Sequence, residues 1–203
     1  FLVKKPKSIT SRQAMVLGTA GLTALQCAFT TKQTREILLL GDKVNDVLVT
    51  GASGGVGSIA VMILNKLGCN VTAATGKEKN KEYLKTIGAK NVINSSDLDK
   101  EARPLDKGVW DGAVDTVGGN ILANVLSQVK ESGIVAACGN ASSIKLNTTV
   151  MPFIIRGVKL WGINSVNASI KRRDFLWGEA SKLVDFEVLE KSIKEINLDD
   201  LIN

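Results

Sequence analysis

The sequence predicts an α/β protein built on a doubly wound parallel sheet, and three observations carry that expectation. A short apolar run, Val47-Leu48-Val49-Thr50, meets a glycine-rich turn and opens directly into a helical pattern with apolar side chains at Ile59, Met62, Ile63 and Leu67. Short apolar strands then recur and alternate with helical stretches as far as residue 163. Apolar residues make up 44% of the 203, enough to fill the core that such a sheet needs on both faces.

In chain order, residues 1–8 are basic, carry Pro6 and read as an extended lead. Thr10 and Ser11 suit the cap of a helix over Arg12–Gln26, which Gly18 and Gly21 divide into two shorter pieces. Residues 30–45 are mixed: Ile37–Leu40 is apolar, and Gly41-Asp42 and Asn45-Asp46 punctuate before the first strand. Gly68 ends the helix after the glycine turn. Val71–Ala74 is the second strand, Glu82–Ile87 a helix closed by Gly88, and Asn91–Ile93 a short third strand. Residues 95–108 are polar, contain Pro104 and read as a loop with some helix. Ala113–Asp115 is the fourth strand, Ile121–Val129 an amphipathic helix, Gly133–Ala137 the fifth strand, Val158–Ile163 the sixth, and Arg172–Asp185 a final helix. The expected organisation is a helical lead-in over 1–45, a nucleotide-binding unit over 46–166 and a C-terminal helical segment over 167–203.

Composition removes several classes of function. The chain has no histidine, which rules out a histidine base, triad or metal ligand within it. Cys27, Cys69 and Cys138 are scattered and lack metal-ligand spacing, a pattern expected of reduced thiols in a cytoplasmic protein. No unbroken apolar run approaches the roughly 18 residues of a membrane span. The net charge of +6 with only 4% aromatics favours a small anionic partner over nucleic acid, although a generally basic surface accounts for the charge equally well.

The glycine turn gives the anion a place. Amides at a helix start have no partner within the helix, and the helix dipole favours negative charge there. In the pattern Ala52-x-Gly54-Gly55-x-Gly57, Ala52 and Gly54 are expected to allow the tight turn and the approach of a pyrophosphate, and Gly57 to let the helix lie close to the strand. A strand before and a helix after are the context that separates a Rossmann-type nucleotide site from an ordinary turn. About 20 residues on, at the tip of the second strand, a carboxylate would mark NAD. Thr75-Gly76-Lys77 stands there instead, with Lys79 and Lys81 behind it and Glu78 as the first acid. A hydroxyl, an open backbone and an ammonium suit a 2′-phosphate, so NADPH is expected over NADH. The alternative is a solvated lysine face paired to Glu78.

Thr50-Gly51-x-x-x-Gly55-x-Gly57 also fits the turn of short-chain dehydrogenases. Their chemistry needs a tyrosine with a lysine four residues later, and the single tyrosine here, Tyr83, is followed at that spacing by Ile87. A second class fits better. Six stretches, Arg12–Gly21, Thr50–Gly57, Tyr83–Ala89, Asp115–Gly118, Ala136–Gly139 and Thr149–Ile154, together resemble the zinc-free, quinone-reductase-like medium-chain reductases, and among them the acryloyl-CoA reductase (YhdH/AcuI-type) subfamily.

That resemblance implies a two-domain enzyme with a GroES-like barrel before the nucleotide domain, so this chain is expected to hold the cofactor domain with the barrel largely absent. It implies that Ser53, Gly54, Gly55 and Val56 hold the pyrophosphate and that Thr75, Gly76 and Lys77 hold the 2′-phosphate. Ser95 stands where close relatives place an arginine or tyrosine against the adenine end. Asn140, Ile154 and Ser165 are implied to line the nicotinamide side, with core packing an equal account of Ile154 and a plain turn the alternative for Ser165. The implied reaction is hydride delivery to an activated alkene, acryloyl-CoA to propanoyl-CoA, without metal. Quinone or enone reduction, or a non-catalytic NADPH-binding module, are the alternatives, and a homodimer is possible. Asp115, at a strand end, is the most tempting carboxylate, although hydrogen bonding to backbone is the preferred reading of it.

Overall fold

A computed structural model of the chain describes residues 2–37, 45–191, 193, 195–197 and 199–200. Six strands form one parallel sheet in the order β3-β2-β1-β4-β5-β6: β1 (Asp46–Val49), β2 (Asn70–Thr75), β3 (Asn91–Asn94), β4 (Trp110–Asp115), β5 (Val129–Ala137) and β6 (Lys159–Gly162). The chain winds outward from β1 in one direction, then restarts at β4 on its other side. The C-terminal ends of β1 and β4 therefore flank the switch point at which open α/β sheets bind ligands. This is the doubly wound sheet that the sequence predicts.

Helices cover both faces. On one side α1 (Ser11–Ile37), α2 (Gly55–Lys66), α6 (Ile170–Leu183) and α7 (Phe186–Glu190) share a core with Val47, Val49, Val71 and Ala136. On the other, α4 (Gly119–Gln128) and α5 (Met151–Arg156) pack on Leu48, Ala113 and Val135. The segments before residue 45 and after residue 166 thus supply helices to the same core as the nucleotide-binding stretch. The short α3 (Lys81–Thr86) makes the crossover from β2 to β3.

The capping expectation at α1 is met reciprocally: the Thr10 amide donates to Gln13 Oε1 at 3.0 Å, and the Gln13 amide donates to Thr10 Oγ1 at 3.1 Å. Gly18, at φ 44° and ψ −143°, breaks the helix into the two pieces that its glycines suggested. The second piece runs to Ile37 and not to Gln26, because Cys27, Ala28 and Thr31 are wholly buried and packing overrides the weak helix propensity of Thr30-Thr31. Ser11–Lys32 is long and apolar enough, by length and composition, to cross a membrane, but 67% of its most apolar stretch is buried within this fold. The Gly41-Asp42 punctuation lies outside the described residues.

Two elements go beyond the sequence reading. Helix α5 begins with Pro152 in its first turn and ends on left-handed Gly157, both ordinary helix-boundary signals. Helix α7 is capped by Asp185, whose Oδ1 accepts from the Val188 amide at 3.1 Å.

Candidate functional site

The turn after β1 is built by close approaches that only small residues permit. Gly51 takes φ +56°, and a Cβ on it would sit 2.2 Å from Thr116 Oγ1. The tight turn is therefore made at Gly51 and not at Ala52, which is fully buried with its amide donating to Ala74 O at 3.0 Å. A Cβ on Gly57 would lie 2.4 Å from Gly51 O and 2.7 Å from the Ala52 Cα, so this glycine does set the helix against the strand, as expected.

Helix α2 starts at Gly55 with Gly54 as an extended, side-chain-free cap and no acidic residue in its first turn. The Gly54 amide closes on Gly51 O and the Ser58 amide on Gly54 O, both at 2.9 Å. The amides of Gly55, Val56 and Gly57 have no acceptor among the described residues. Three donors with no capping carboxylate or hydroxyl, at the positive end of a 12-residue helix, form a seat for an anion.

Beside it, β2 and β3 bring four of the expected residues together. Thr75 is buried; its Oγ1 lies 3.0 Å from Ser53 Oγ and accepts from the Lys77 amide at 3.1 Å. Thr75 also pairs in register with Asn94, which sets Ser95 beside Gly76: a Cβ on Gly76 would come within 3.1 Å of Ser95 Oγ. The Gly76 and Lys77 side is exposed. Ser53, Thr75, Gly76, Lys77 and Ser95 thus form one continuous polar rim next to the helix start.

Sequence reasoning named Asp115 without its partners. The carboxyl is fully buried: Oδ1 accepts from Thr50 Oγ1 at 2.6 Å, and Oδ2 accepts from the amides of Gly118 at 2.9 Å and Val117 at 3.3 Å. Thr116 completes the tie, its amide donating to Thr50 Oγ1 at 3.1 Å and its Oγ1 to Thr50 O at 3.0 Å. Burial pushes the Asp115 pKa up, against the pull of the Thr50 hydroxyl and the two amides, which favour the charged form. With both oxygens engaged, Asp115 locks the ends of β1 and β4 together. The repeated Thr-Gly and Asp-Thr pairs at two strand ends were the available signal for this lock.

The three residues expected on the nicotinamide side separate. Asn140 is exposed after β5, with its Cα beside Gly118 and the next two amides donating to Thr116 O and Val117 O, so it stands at the same end of the sheet. Ser165 follows β6 in a turn closed by Asn164 Oδ1; its carbonyl accepts from Arg173 Nη2 at 3.0 Å. Ile154 lies on α5 with its side chain exposed. Two residues on, the Arg156 guanidinium donates to the Ser127 and Val129 carbonyls at the starting end of β5. That helix leads away from the glycine turn, and the described hydrogen bonds link Ile154 to none of the strand-end groups.

The zinc-binding dehydrogenase family model matches residues 55–180, from the first residue of α2 into α6. The chain belongs to the zinc-binding dehydrogenase family. Among the described residues no three His, Cys, Asp or Glu side chains gather as metal ligands. Across its whole length the chain is 43% identical to the probable acrylyl-CoA reductase AcuI of Escherichia coli, covering 61% of that protein. It is 41% identical to the putative quinone oxidoreductase YhfP of Bacillus subtilis, with 98% of this chain and 60% of that one aligned. The crystal structure of the yhdH oxidoreductase of Salmonella enterica in complex with NADP superposes at a TM-score of 0.91 and 43% identity, over 98% of this chain and 60% of that one. The chain therefore spans about three fifths of the length of these relatives. They are the quinone-reductase-like, acryloyl-CoA reductase branch of the medium-chain reductases, the branch that the six stretches resemble.

Proposed function

We propose that the chain is the cofactor-binding part of an NADPH-dependent oxidoreductase that reduces an activated alkene, with acryloyl-CoA as substrate and propanoyl-CoA as product. The observation that carries this reading is the junction of two features: uncapped amides at the start of α2, and the Ser53–Thr75–Lys77–Ser95 rim beside them. The residues present fit the cofactor. Adding a side chain at Gly76 would crowd Ser95, and Gly54 leaves the amide seat open.

NADPH, when bound, supplies the hydride. The chain's own residues bind and orient. The Gly55, Val56 and Gly57 amides and the Ser53 hydroxyl hold the paired phosphates. Thr75, Gly76, Lys77 and Ser95 hold the 2′-phosphate, with Thr75 Oγ1 already fixed by Ser53 and the Lys77 amide. Asn140 and Ser165, at the ends of β5 and β6, bound the nicotinamide side. Asp115 holds the floor of the crevice and is committed to Thr50 and two amides, so the proton for the α-carbon comes from another group.

Similarity to the relatives named for acrylyl-CoA reduction and to the NADP complex supports this reading. The likeness to YhfP favours a second one, in which the same hydride goes to a quinone or another enone. A substrate panel with the protein that carries this chain separates them: acryloyl-CoA turnover at least comparable to that of small quinones is expected, and preference for quinones overturns the thioester assignment. NADPH binding with no oxidation by any alkene would instead mark a non-catalytic binding module. We further propose a cytoplasmic homodimer paired through β6, one of the two edge strands of the sheet, where Leu160 and Trp161 are exposed.

A further inference from the structure

The segment between β6 and α6 carries Ser165, and a single side chain holds most of its shape. The segment leaves β6 with the Ile163 amide donating to Ala137 O at 2.8 Å, which ties it to the end of β5 three residues before Asn140. Asn164 Oδ1 then accepts from the Val166 and Asn167 amides at 3.1 and 3.2 Å and turns the chain. Three carbonyls of that turn converge on the Arg173 guanidinium: Nη2 donates to Ser165 O at 3.0 Å and to Val166 O at 2.8 Å, and Nε donates to Ala168 O at 2.9 Å. Among residues 164–169 only Ala168 is buried, so packing does little to fix the turn. Arg173 itself stands on a rigid base. Ser169 caps α6, its Oγ accepting from the Arg172 amide at 3.2 Å and its carbonyl from the Arg173 amide at 2.9 Å. Leu176 and Ala180, both wholly buried, seat the helix in the core that it shares with α2.

We propose that Arg173 is a positioning residue: by clamping the turn over 165–168 it sets where Ser165 meets the nicotinamide half of the cofactor, and it takes no part in holding the phosphates. A guanidinium suits this task because its donors lie in one rigid plane and can span several carbonyls, which a lysine ammonium cannot do. The sheet order confines the effect. The rim assigned to the 2′-phosphate is at β2 and β3, and β6 lies four strand spacings from β2, or roughly 19 Å. Arg173 also borders a cavity of about 380 Å³ whose rim includes the exposed Lys4 and Met15, so a small cation can reach the place of its side chain from solvent.

The role of Ser165 at the nicotinamide rests on the NADPH reading above; the clamp does not. Hydrogen exchange of the 165–168 amides without nucleotide reads the clamp alone, and it is expected to quicken in Arg173→Ala. Two ligands then read the consequence in the purified chain: NADPH, and adenosine 2′,5′-bisphosphate, which lacks the nicotinamide. In Arg173→Ala the affinity for NADPH is expected to fall about tenfold, as for a contact group left about 1 Å loose, and that for the bisphosphate to stay within about twofold. Millimolar guanidinium restores NADPH binding to this variant where the same concentration of sodium chloride does not. Arg173→Lys recovers only part of the loss, and it carries the same comparison where the alanine variant does not fold. Unchanged amide exchange overturns the clamp, and full recovery in Arg173→Lys overturns the claim for the guanidinium fork. Equal loss of both ligands, or NADPH affinity equal to that of the parent, overturns the positioning role. Parent chain that binds neither ligand overturns the cofactor reading, and the exchange result still decides the clamp.

Discussion

Gly57→Ala tests whether the helix start is held where it is by a backbone-to-backbone contact. The added Cβ would stand 2.4 Å from Gly51 O and 2.7 Å from the Ala52 Cα. Both neighbours are backbone, and Ala52 is pinned by its hydrogen bond to Ala74 O, so neither can turn aside as a side-chain tip would. Overpacking of this kind costs about 3 kcal/mol at the upper end of its usual range. Alanine recovers at most about 1 kcal/mol through helix propensity. The net loss of roughly 2 kcal/mol lowers the melting temperature by about 4–8 °C in a chain of this size. Two controls bracket it. Gly54→Ala meets only Gly51 O at 3.3 Å, and Gly162→Ala meets nothing within 4 Å. Differential scanning calorimetry should therefore rank Gly57→Ala far below the other two, while NADPH titration should find Gly54→Ala weakened despite near-normal stability, because the cap residue beside the uncapped α2 amides then carries a methyl group. A Gly57→Ala protein that melts with the parent would refute the contact, and a Gly54→Ala protein that binds NADPH normally would remove the phosphates from this turn.

Lys77→Glu should raise the dissociation constant for NADPH by tenfold or more and leave that for NADH nearly unchanged; parallel titrations with the two nucleotides check this, and equal effects would return Lys77 to the solvated surface. At the opposite end of the sheet, Lys130 bridges Asp111 at 3.1 Å and Asp46 at 3.2 Å. Burial raises the Asp111 pKa, but the Asp46 and Asn45 amides and Lys130 outweigh it, and the net value lies below that of an ordinary carboxylate. A depressed carboxyl contributes stability above its unfolded pKa and loses it as pH falls through the folded one. Asp111→Asn should thus destabilise at pH 7 by about 1 kcal/mol, given the partial exposure of its partners, and the difference from the parent should close below about pH 4. Trp161→Arg should shift the protein from dimer to monomer in sedimentation velocity without moving its melting temperature by more than about 2 °C, since the side chain is half exposed in the single chain.

Where periodicity and turn chemistry agreed, the sequence was sufficient. Val47–Thr50, the glycine turn and the helix behind it were legible because each of the three carries its own local signal and all point the same way. The order of the strands in the sheet was not readable from any one segment, although alternation of strands with helices restricted the choices. The C-terminal half of α1 was missed because Thr30-Thr31 are poor helix formers on their own, and only the sheet to which they dock makes them helical. Thr31 fits there because Gly112 has no side chain: a Cβ on that glycine would be 2.6 Å from Thr31 Cγ2. That complementarity joins residues some eighty positions apart and leaves no local trace.

The site divides along the same line. Thr75, Gly76 and Lys77 could be expected together from the end of β2, because a parallel sheet delivers every strand's C-terminus to one edge, and the structure sets Ser53 and Ser95 beside them. Ile154 could not be placed that way: it belongs to a short helix whose direction is fixed by Arg156 reaching the Ser127 and Val129 carbonyls, a contact that no motif announces. Asp115 shows the converse. Its position at a strand end makes it look available for chemistry, and only the structure reveals three donors already spent on it. A carboxyl that fixes Thr50 also fixes the residue before Gly51, and Gly51 sets where the α2 amides point. The start of α2 is thus positioned by a buried acid whose two oxygens are both engaged, and a reading that assigned Asp115 to proton transfer would have removed the tie between β1 and β4 to supply its acid.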